Sequence, residues 1–502
     1  MDAAKVAGCF KDRTILITGS TGFLGKLLVE KILRVQPGVK KLYLLVRATD
    51  DAAAEQRVLH EIVGKEVFSV LREKHGAGFQ SFVKEKVSPL AGDMRHENLG
   101  LESTRAKQLF EEIDIVVNGA AITNFYERYD VALASNTFGT VHVCNFAKKC
   151  SHLKLFLHVS TAYVAGKQEG RILEKPLQMG QTLKKSRCID IEAELGLANE
   201  VKAKLVKSSS STADTSHQQL EKVAMKELGL KRAKYFGWPN VYAFTKAMGE
   251  MLLGTMRGDL PVVIVRPSIV ISTFQDPFPG WIEGIRTMDV MIAASHEQKL
   301  PCFIGGPILD SIPGDMVVNA TMVAMATHYD CAGTQVVYHV TSALQNPLSC
   351  NLLDESVYAY ALINPRVRDD KRTIQYKRPL LFSRYAYLNA YVVLKYKTRL
   401  QVLYLANCLI LCGRFTEYHK KLNRSLNYLM FMAKLYTPYV FFKGCFDDTN
   451  LRKLWGTTGA RHGDEYEFNF DPNCINWRQY LFNTHIPAVL KEATRMKTEQ
   501  NA

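Results

Sequence analysis

The chain has 502 residues, 47% of them apolar, and 64 basic against 49 acidic side chains give it a net charge of +15. Its length predicts two or three domains, and its apolar fraction excludes a disordered polypeptide. The positive balance predicts an anionic partner: nucleic acid, an anionic membrane surface or a phosphate-bearing small molecule. No DNA- or RNA-binding motif is present, which favours the last two. Eleven cysteines lie scattered without a CxxC pair, as expected in a reducing compartment. Cys408 and Cys412, at helical spacing in an apolar run, read as core residues. Met1 to Arg13 has no secretory apolar core and is too short and acid-bearing for a transit peptide. No stretch reaches the ~18 apolar residues of a membrane span; the longest, Val402 to Cys412, is broken by Asn407.

Thr14 to Ile17 reads as a buried strand, followed by a helix from Leu24 to Leu33. Further strands are expected at Lys41 to Val46, Lys86 to Leu90, Ile113 to Asn118, Leu153 to Val159 and Pro261 to Val265. Helical patterns separate most of them, such as Val131 to Lys149. This alternation predicts an α/β fold, a Rossmann-type doubly wound parallel sheet covered on both faces. Ligands of such sheets sit beyond the C-terminal strand ends. The small and polar strings Gly119-Ala120-Ala121, Ser160-Thr161 and Arg266-Pro267-Ser268 all fall there. Gln178 to Lys231 interrupts the pattern as a charged helical insertion, a candidate lid, with a flexible loop expected at Ser208 to Thr212. After about Asp370 the composition shifts. Between Lys377 and Phe446 there are twelve basic residues, one acidic residue (Glu417) and many aromatics. The expected division is therefore a doubly wound α/β domain over 1–370 and a helical domain over 371–502.

Gly19, Gly22 and Gly25, within Thr18-Gly19-Ser20-Thr21-Gly22-Phe23-Leu24-Gly25, lie between a strand and a helix. Glycine lets the backbone turn tightly against a phosphate, and the helix start offers free N–H groups. Gly19, Thr21, Gly22, Phe23, Leu24 and Gly25 are therefore candidates for holding a dinucleotide. Arg47 stands at the end of the second strand, where an acidic residue selects NAD; a guanidinium there suits the 2′-phosphate of NADPH. Asp93 and Met94 occupy the expected adenine position. Asn118, Ala120, Ala121, Pro267 and Ser268 stand where the cofactor crosses the strand ends.

Tyr242 and Lys246, in Tyr242-Ala243-Phe244-Thr245-Lys246, are one helical turn apart and face the same way. A free phenol has a pKa of ~10; a nearby ammonium lowers it toward the range useful for proton transfer. Such a pair donates a proton to a carbonyl oxygen and also reaches the cofactor. Thr161 is the candidate for polarising the carbonyl, with Ser160 as the alternative, since strand alternation turns only one of them to the site. Asn136 reads either as a further site residue or as a helix cap. No cysteine falls at a strand end near these residues, so thiolate catalysis is not expected. No metal site is expected.

These strings, with His158-Val159-Ser160-Thr161-Ala162-Tyr163-Val164, Pro279-Gly280-Trp281-Ile282 and Asp315-Met316-Val317-Val318-Asn319, resemble the plant alcohol-forming fatty acyl-CoA reductases. That family is the male-sterility type of extended short-chain dehydrogenase/reductases. Phe446-Asp447-Asp448-Thr449-Asn450, Trp477 and Tyr480 resemble its tail domain. Gly314 departs from the family, which more often has a β-branched residue there. The resemblance implies NADPH-dependent reduction of a long-chain or very-long-chain acyl-CoA to a primary alcohol through a bound aldehyde. The products of such enzymes feed wax, suberin or pollen-wall lipids. It also implies an acyl-CoA partner and peripheral membrane contact through the basic, aromatic C-terminal region. The expected location is the cytoplasm or the cytosolic face of the endoplasmic reticulum, ahead of a plastid. The nearest rival is another extended reductase or epimerase acting on a sugar nucleotide, steroid or flavonoid. A catalytically dead cofactor sensor is the rival of a different class.

Overall fold

A computed structural model describes residues 1–501 apart from 185, 208–213, 367–372, 411–413 and 461–465. The loop expected at Ser208 to Thr212 lies outside the described residues. Seven parallel strands form the central sheet in the order β7-β6-β5-β4-β1-β2-β3. They are β1 (Thr14–Thr18), β2 (Lys41–Val46), β3 (Val87–Ala91), β4 (Ile115–Asn118), β5 (Leu155–Val159), β6 (Val262–Pro267) and β7 (Gln335–Val340). Six were expected from their apolar runs, and β7 was not. Almost every residue of β1, β4, β5 and β6 is buried, as in a sheet covered on both faces.

The helices that matter here are α1 (Phe23–Val35), α2 (Gly139–Lys149), α3 (Ile191–Lys207), α4 (Asp214–Phe236), α5 (Val241–Met256) and α6 (Gly314–His328). Helix α5 begins where Asn240, in an extended conformation, accepts a hydrogen bond from the N–H of Ala243 at 2.9 Å. The expected insertion is the pair α3–α4, and its inner face is core. Ile191, Ala198, Ala233 and Phe236 pack in one cluster with Phe244, Met248 and Met251 of α5.

The chain forms two compact units. One comprises Met1–Glu283, Asp310–Asn346 and Lys443–Ile475; the other comprises Gly284–Leu309, Pro347–Phe442 and Asn476–Ala502. The expected cut at 370 therefore falls inside a segment of the second unit, and a single boundary does not separate the two. The cause is long-range pairing. Gly444–Phe446 adds in parallel to Gly170–Ile172 within the first unit. Glu174 then accepts hydrogen bonds from the N–H groups of His339 and Asn450, at the start of helix α9 (Thr449–Thr458). In the second unit, α7 (Thr398–Leu409) and α8 (Thr416–Val440) form a helical pair. The inner face of α8 buries Leu426, Met430 and Ala433.

Candidate active site

The turn after β1 admits glycine alone. Gly19 has φ +80°, and a Cβ there would lie 2.6 Å from the backbone nitrogen of Ala120. A Cβ on Gly25 would lie 2.2 Å from the carbonyl oxygen of Gly19. Helix α1 then starts at Phe23 with Gly22 as its N-cap and no side chain capping it. Its first N–H groups are therefore left for an anion, which fits a dinucleotide pyrophosphate. The ring of Phe23 stacks on Trp281 at 4.9 Å. A Cβ at Gly314 would fall 2.5 Å from that ring, which explains why a β-branched residue does not stand there.

Across the sheet, register brings three polar residues into line: Thr18 opposite Asn118, and Asn118 opposite His158. All three are buried. The N–H of Ala120 donates to Thr18 Oγ1 at 3.1 Å, and the Thr18 hydroxyl donates to Asn118 Oδ1 at 3.1 Å. Asn118 Nδ2 lies 3.1 Å from His158 Nδ1, and His158 Nε2 lies 3.3 Å from Lys246 Nζ. Lys246 also donates to the carbonyl oxygen of Val159 at 2.8 Å. The amine of α5 is thereby fixed to the end of β5, beside Ser160 and Thr161. Burial pushes Lys246 down to about 8, against the pull of Glu250. Burial, then the charges of Lys246 and Arg266, hold His158 far below the ordinary histidine value, so its ring is uncharged.

Tyr242 is half-buried, one turn before Lys246, with its ring stacked on Phe125 at 6.0 Å. Thr161 Oγ1 accepts the N–H of Tyr163 at 3.3 Å, capping the turn Ala162–Ala165. The Ser160 hydroxyl is buried and finds no partner among the described residues. Asn136 sits in a π-helical turn, Leu133–Phe138, rather than at a cap. Its Oδ1 accepts from the N–H of Ile122, and its Nδ2 donates to the Ile122 carbonyl and to Thr245 Oγ1. It ties the loop after β4, which carries Ala120 and Ala121, to the helix of Tyr242 and Lys246.

Three expected residues stand apart from this cluster. Arg47 is exposed at the end of β2. Asp93 is engaged by its neighbour: Arg95 donates through Nε and Nη2 at 2.8 and 2.6 Å. Burial acts to raise the Asp93 carboxyl, but those bonds and the charge of Arg47 hold it below the ordinary value. The Met94 side chain lies in the core with Leu90, Leu99 and Val143, so it is a packing residue. Pro267 and Ser268 close β6, where the Ser268 N–H donates to the Val340 carbonyl at 3.1 Å.

Sequence reasoning missed His158 and the ion pair behind it. Arg266 donates to Glu250 of α5 at 3.1 and 3.2 Å through Nε, and both are buried. Its Nη1 lies 3.3 Å from His339 Nε2, leaving His339 Nδ1 to donate to the Asp447 carbonyl at 2.9 Å. A charged residue inside an apolar strand was the available signal, because buried charges are paired.

Residues 17–321 match an NAD-binding family model described as male sterility protein, and residues 399–494 match a second model of the same description. The chain is 45% identical over 484 residues to the alcohol-forming fatty acyl-CoA reductase of Simmondsia chinensis, covering 96% of this chain and 97% of that protein. It belongs to the male-sterility family of fatty acyl-CoA reductases. Within that family, fatty acyl-CoA reductase 1 of Arabidopsis thaliana is 43% identical, covering 95% of this chain and 97% of its own length. Among solved structures, the reductase domain of a non-ribosomal peptide synthetase from Mycobacterium tuberculosis aligns with TM-score 0.57 at 18% identity, over 99% of this chain and 96% of that one. The terminal reductase domain of the myxalamid pathway aligns with TM-score 0.56 at 19% identity, over 97% and 92%. These two share the fold. Family membership shows a nicotinamide cofactor, and the glycine cradle after β1 has the form that fits a dinucleotide pyrophosphate.

The aromatic, basic region also differs from one expectation. Cys408 is exposed, because the apolar run on α7 points outward rather than into a core. Cys412 lies outside the described residues.

Proposed function

We propose that the protein reduces a long-chain or very-long-chain fatty acyl-CoA to the primary alcohol in two rounds, with NADPH as reductant. The observation that carries this reading is the seating of Lys246 on the Val159 carbonyl, one turn from Tyr242 and beside Ser160-Thr161. When bound, the reduced nicotinamide supplies hydride. In each round Tyr242 gives its hydroxyl proton to the carbonyl oxygen of the substrate, and the neighbouring ammonium favours the phenolate left behind. The Thr161 oxygen already accepts the Tyr163 N–H, which leaves the hydroxyl hydrogen to donate to that same substrate oxygen. The first round leaves a thiohemiacetal, which expels CoA thiol to give an aldehyde held for the second round. One site serves both, since each round needs a proton at a carbonyl oxygen. Purified protein given C16 to C30 acyl-CoAs and NADPH is expected to yield alcohol, read by gas chromatography. No turnover across that range overturns the reading.

The preference for NADPH rests on Arg47, exposed at the strand end beside the cradle. Arg47→Ala is expected to raise KM for NADPH about tenfold, the worth of one charged hydrogen bond, while KM for NADH stays unchanged. Equal effects on both cofactors sink the assignment. Peripheral membrane contact rests on the outer face of the α7–α8 pair. Leu409 of α7 and the flanking Leu394 and Ile410 are 81%, 72% and 76% exposed, in a stretch that also carries Lys395, Lys397, Arg399, Lys420, Lys421 and Arg424. Among the described residues no helix is long and apolar enough to cross a membrane. Such a face suits the interface of an anionic bilayer, in keeping with a protein acting at the cytosolic side of the endoplasmic reticulum. Fractionation of the expressed protein tests that location, and a wholly soluble pool refutes it.

A further inference from the structure

His158 is the link between Asn118 and Lys246 in the buried row. It stands on β5 among Leu155, Phe156 and Leu157, fully buried, where an unpaired polar ring is disfavoured. Register sets it opposite Asn118 of β4 and Ile264 of β6. Its Nε2 faces Lys246 Nζ at 3.3 Å, and its Nδ1 faces the Asn118 amide at 3.1 Å. The other charged or titratable groups around this pair are Tyr242 and Glu250 on α5 and Arg266 on β6, the last two paired with each other.

An uncharged imidazole has one N–H and one lone pair on its two nitrogens. Two arrangements of hydrogens use the charge state of Lys246 to set the tautomer. In the first, the Lys246 ammonium donates to Nε2, and the Nδ1–H donates to the side-chain oxygen of Asn118 with its amide turned over. In the second, the Asn118 NH2 donates to Nδ1, and the Nε2–H donates to an uncharged Lys246 amine. The two differ by one proton, lost to solvent. In both, the amine still donates to the Val159 carbonyl, and both ring nitrogens of His158 stay paired. The orientation of Asn118 decides in turn whether Thr18 donates to it or accepts from it, and Thr18 holds the Ala120 N–H beside Gly19.

We propose that His158 is a positioning residue for Lys246: its tautomer follows the charge of the amine, keeps it bonded in both states, and links that charge to the cofactor turn through Asn118 and Thr18. The kinetic arm of the test rests on the roles given to Tyr242 and Lys246, and the spectroscopic arm does not.

The spectroscopic arm uses protein labelled with 15N-histidine, without cofactor or substrate, and assigns His158 by the signal lost in His158→Gln. The ring is expected to stay uncharged from pH 6 to 9 and to exchange Nδ1–H for Nε2–H as Lys246 loses its proton. Protonation like an ordinary histidine near pH 6.5, or one tautomer throughout, overturns the proposal. In the kinetic arm, the alkaline limb of kcat is followed. His158→Gln, whose side-chain oxygen can accept from the ammonium, is expected to leave that limb in place. His158→Leu is expected to move it about one unit toward acid, the worth of one lost hydrogen bond to a charged group. His158→Asn, which reaches Asn118 but not Lys246, serves as the second variant should the leucine protein not fold, with the same shift expected. A lower kcat with an unmoved limb refutes positioning and leaves packing alone. If Tyr242→Phe retains full activity, the catalytic roles fail, and the tautomer measurement still decides the proposal.

Discussion

The row from Ala120 to Lys246 and the outer face of α7–α8 break the usual rule of burial in opposite directions. In the row, Thr18, Asn118, His158 and Lys246 are polar and buried, and each finds a partner within 3.3 Å. On the helical pair, large apolar side chains such as Leu405, Leu409, Ile410 and Tyr418 stand exposed. A buried polar group or an exposed apolar patch is informative, because neither is stable without a reason. The row holds a reactive amine in a fixed place. The patch presents a surface that water alone does not suit. The proposed chemistry and the proposed membrane contact thus fall on separate parts of the chain, and separate substitutions should divide them.

The largest separation is expected from Tyr242→Phe. Alcohol formation should fall by about 10²- to 10⁴-fold, the usual range for a lost general acid, with vesicle binding unchanged. The double change Leu409→Glu and Ile410→Glu should do the reverse. Co-sedimentation with phosphatidylserine vesicles should drop at least about 100-fold, since each buried aliphatic side chain is worth about 1.5 kcal/mol or more. Turnover of a soluble short-chain acyl-CoA should hold. Loss of both properties in either variant would erase the distinction.

Gly314→Val sharpens the first half of the comparison. Its side chain meets the Phe23 ring, and overpacking of this kind costs roughly 1–3 kcal/mol. Denaturant midpoint and KM for the cofactor should both worsen, and Phe23→Ala in the same chain should restore part of the stability. Independent, additive effects would show that the ring and Gly314 do not share that space. The smallest effect concerns Lys246→Met. Burial lowers the Lys246 pKa from 10.5 to about 8. Between those values the unfolded chain binds more protons than the folded one, so stability rises with pH across that window. The methionine variant lacks that gain. The melting temperature of the wild type minus that of the variant should therefore climb by a few degrees from pH 8 toward 10.5. A flat difference would mean that the amine titrates as an exposed lysine.

What could be read in advance was local. The glycines, the β1–α1 junction and the Tyr242–Lys246 spacing depend on neighbours within a few residues, and the expected β2 matched at both ends. Strand β7 was not expected because Gln335-Val336-Val337-Tyr338-His339-Val340 is mixed in polarity, with Gln335 and His339 leaving only a short apolar run. His158 looked like an ordinary strand residue, since its partners come from β4 and α5, 40 and 88 residues away. The placement of Met94 in the core and the exposure of Cys408 likewise depend on which face of an element meets a neighbour. The cut at 370 failed for the same reason at larger scale: a composition change marks what a segment is made of, while the pairing of residues 444 and 170 decides where it lies.

That pairing bears on synthesis. The first unit takes in Lys443–Ile475, and Arg171 and Glu174 bond to Asp447 and Asn450 of that segment. A ribosome that has released the glycine turn, the Tyr-Lys helix and all seven sheet strands has still not delivered the whole unit. Its closing strand arrives more than a hundred residues after the sheet's last one. Until then the Gly170–Ile172 edge stands open and the carboxylate of Glu174 lacks its donors from the start of α9, so a chain that stalls near residue 440 leaves a reductase that is nearly complete and unclosed.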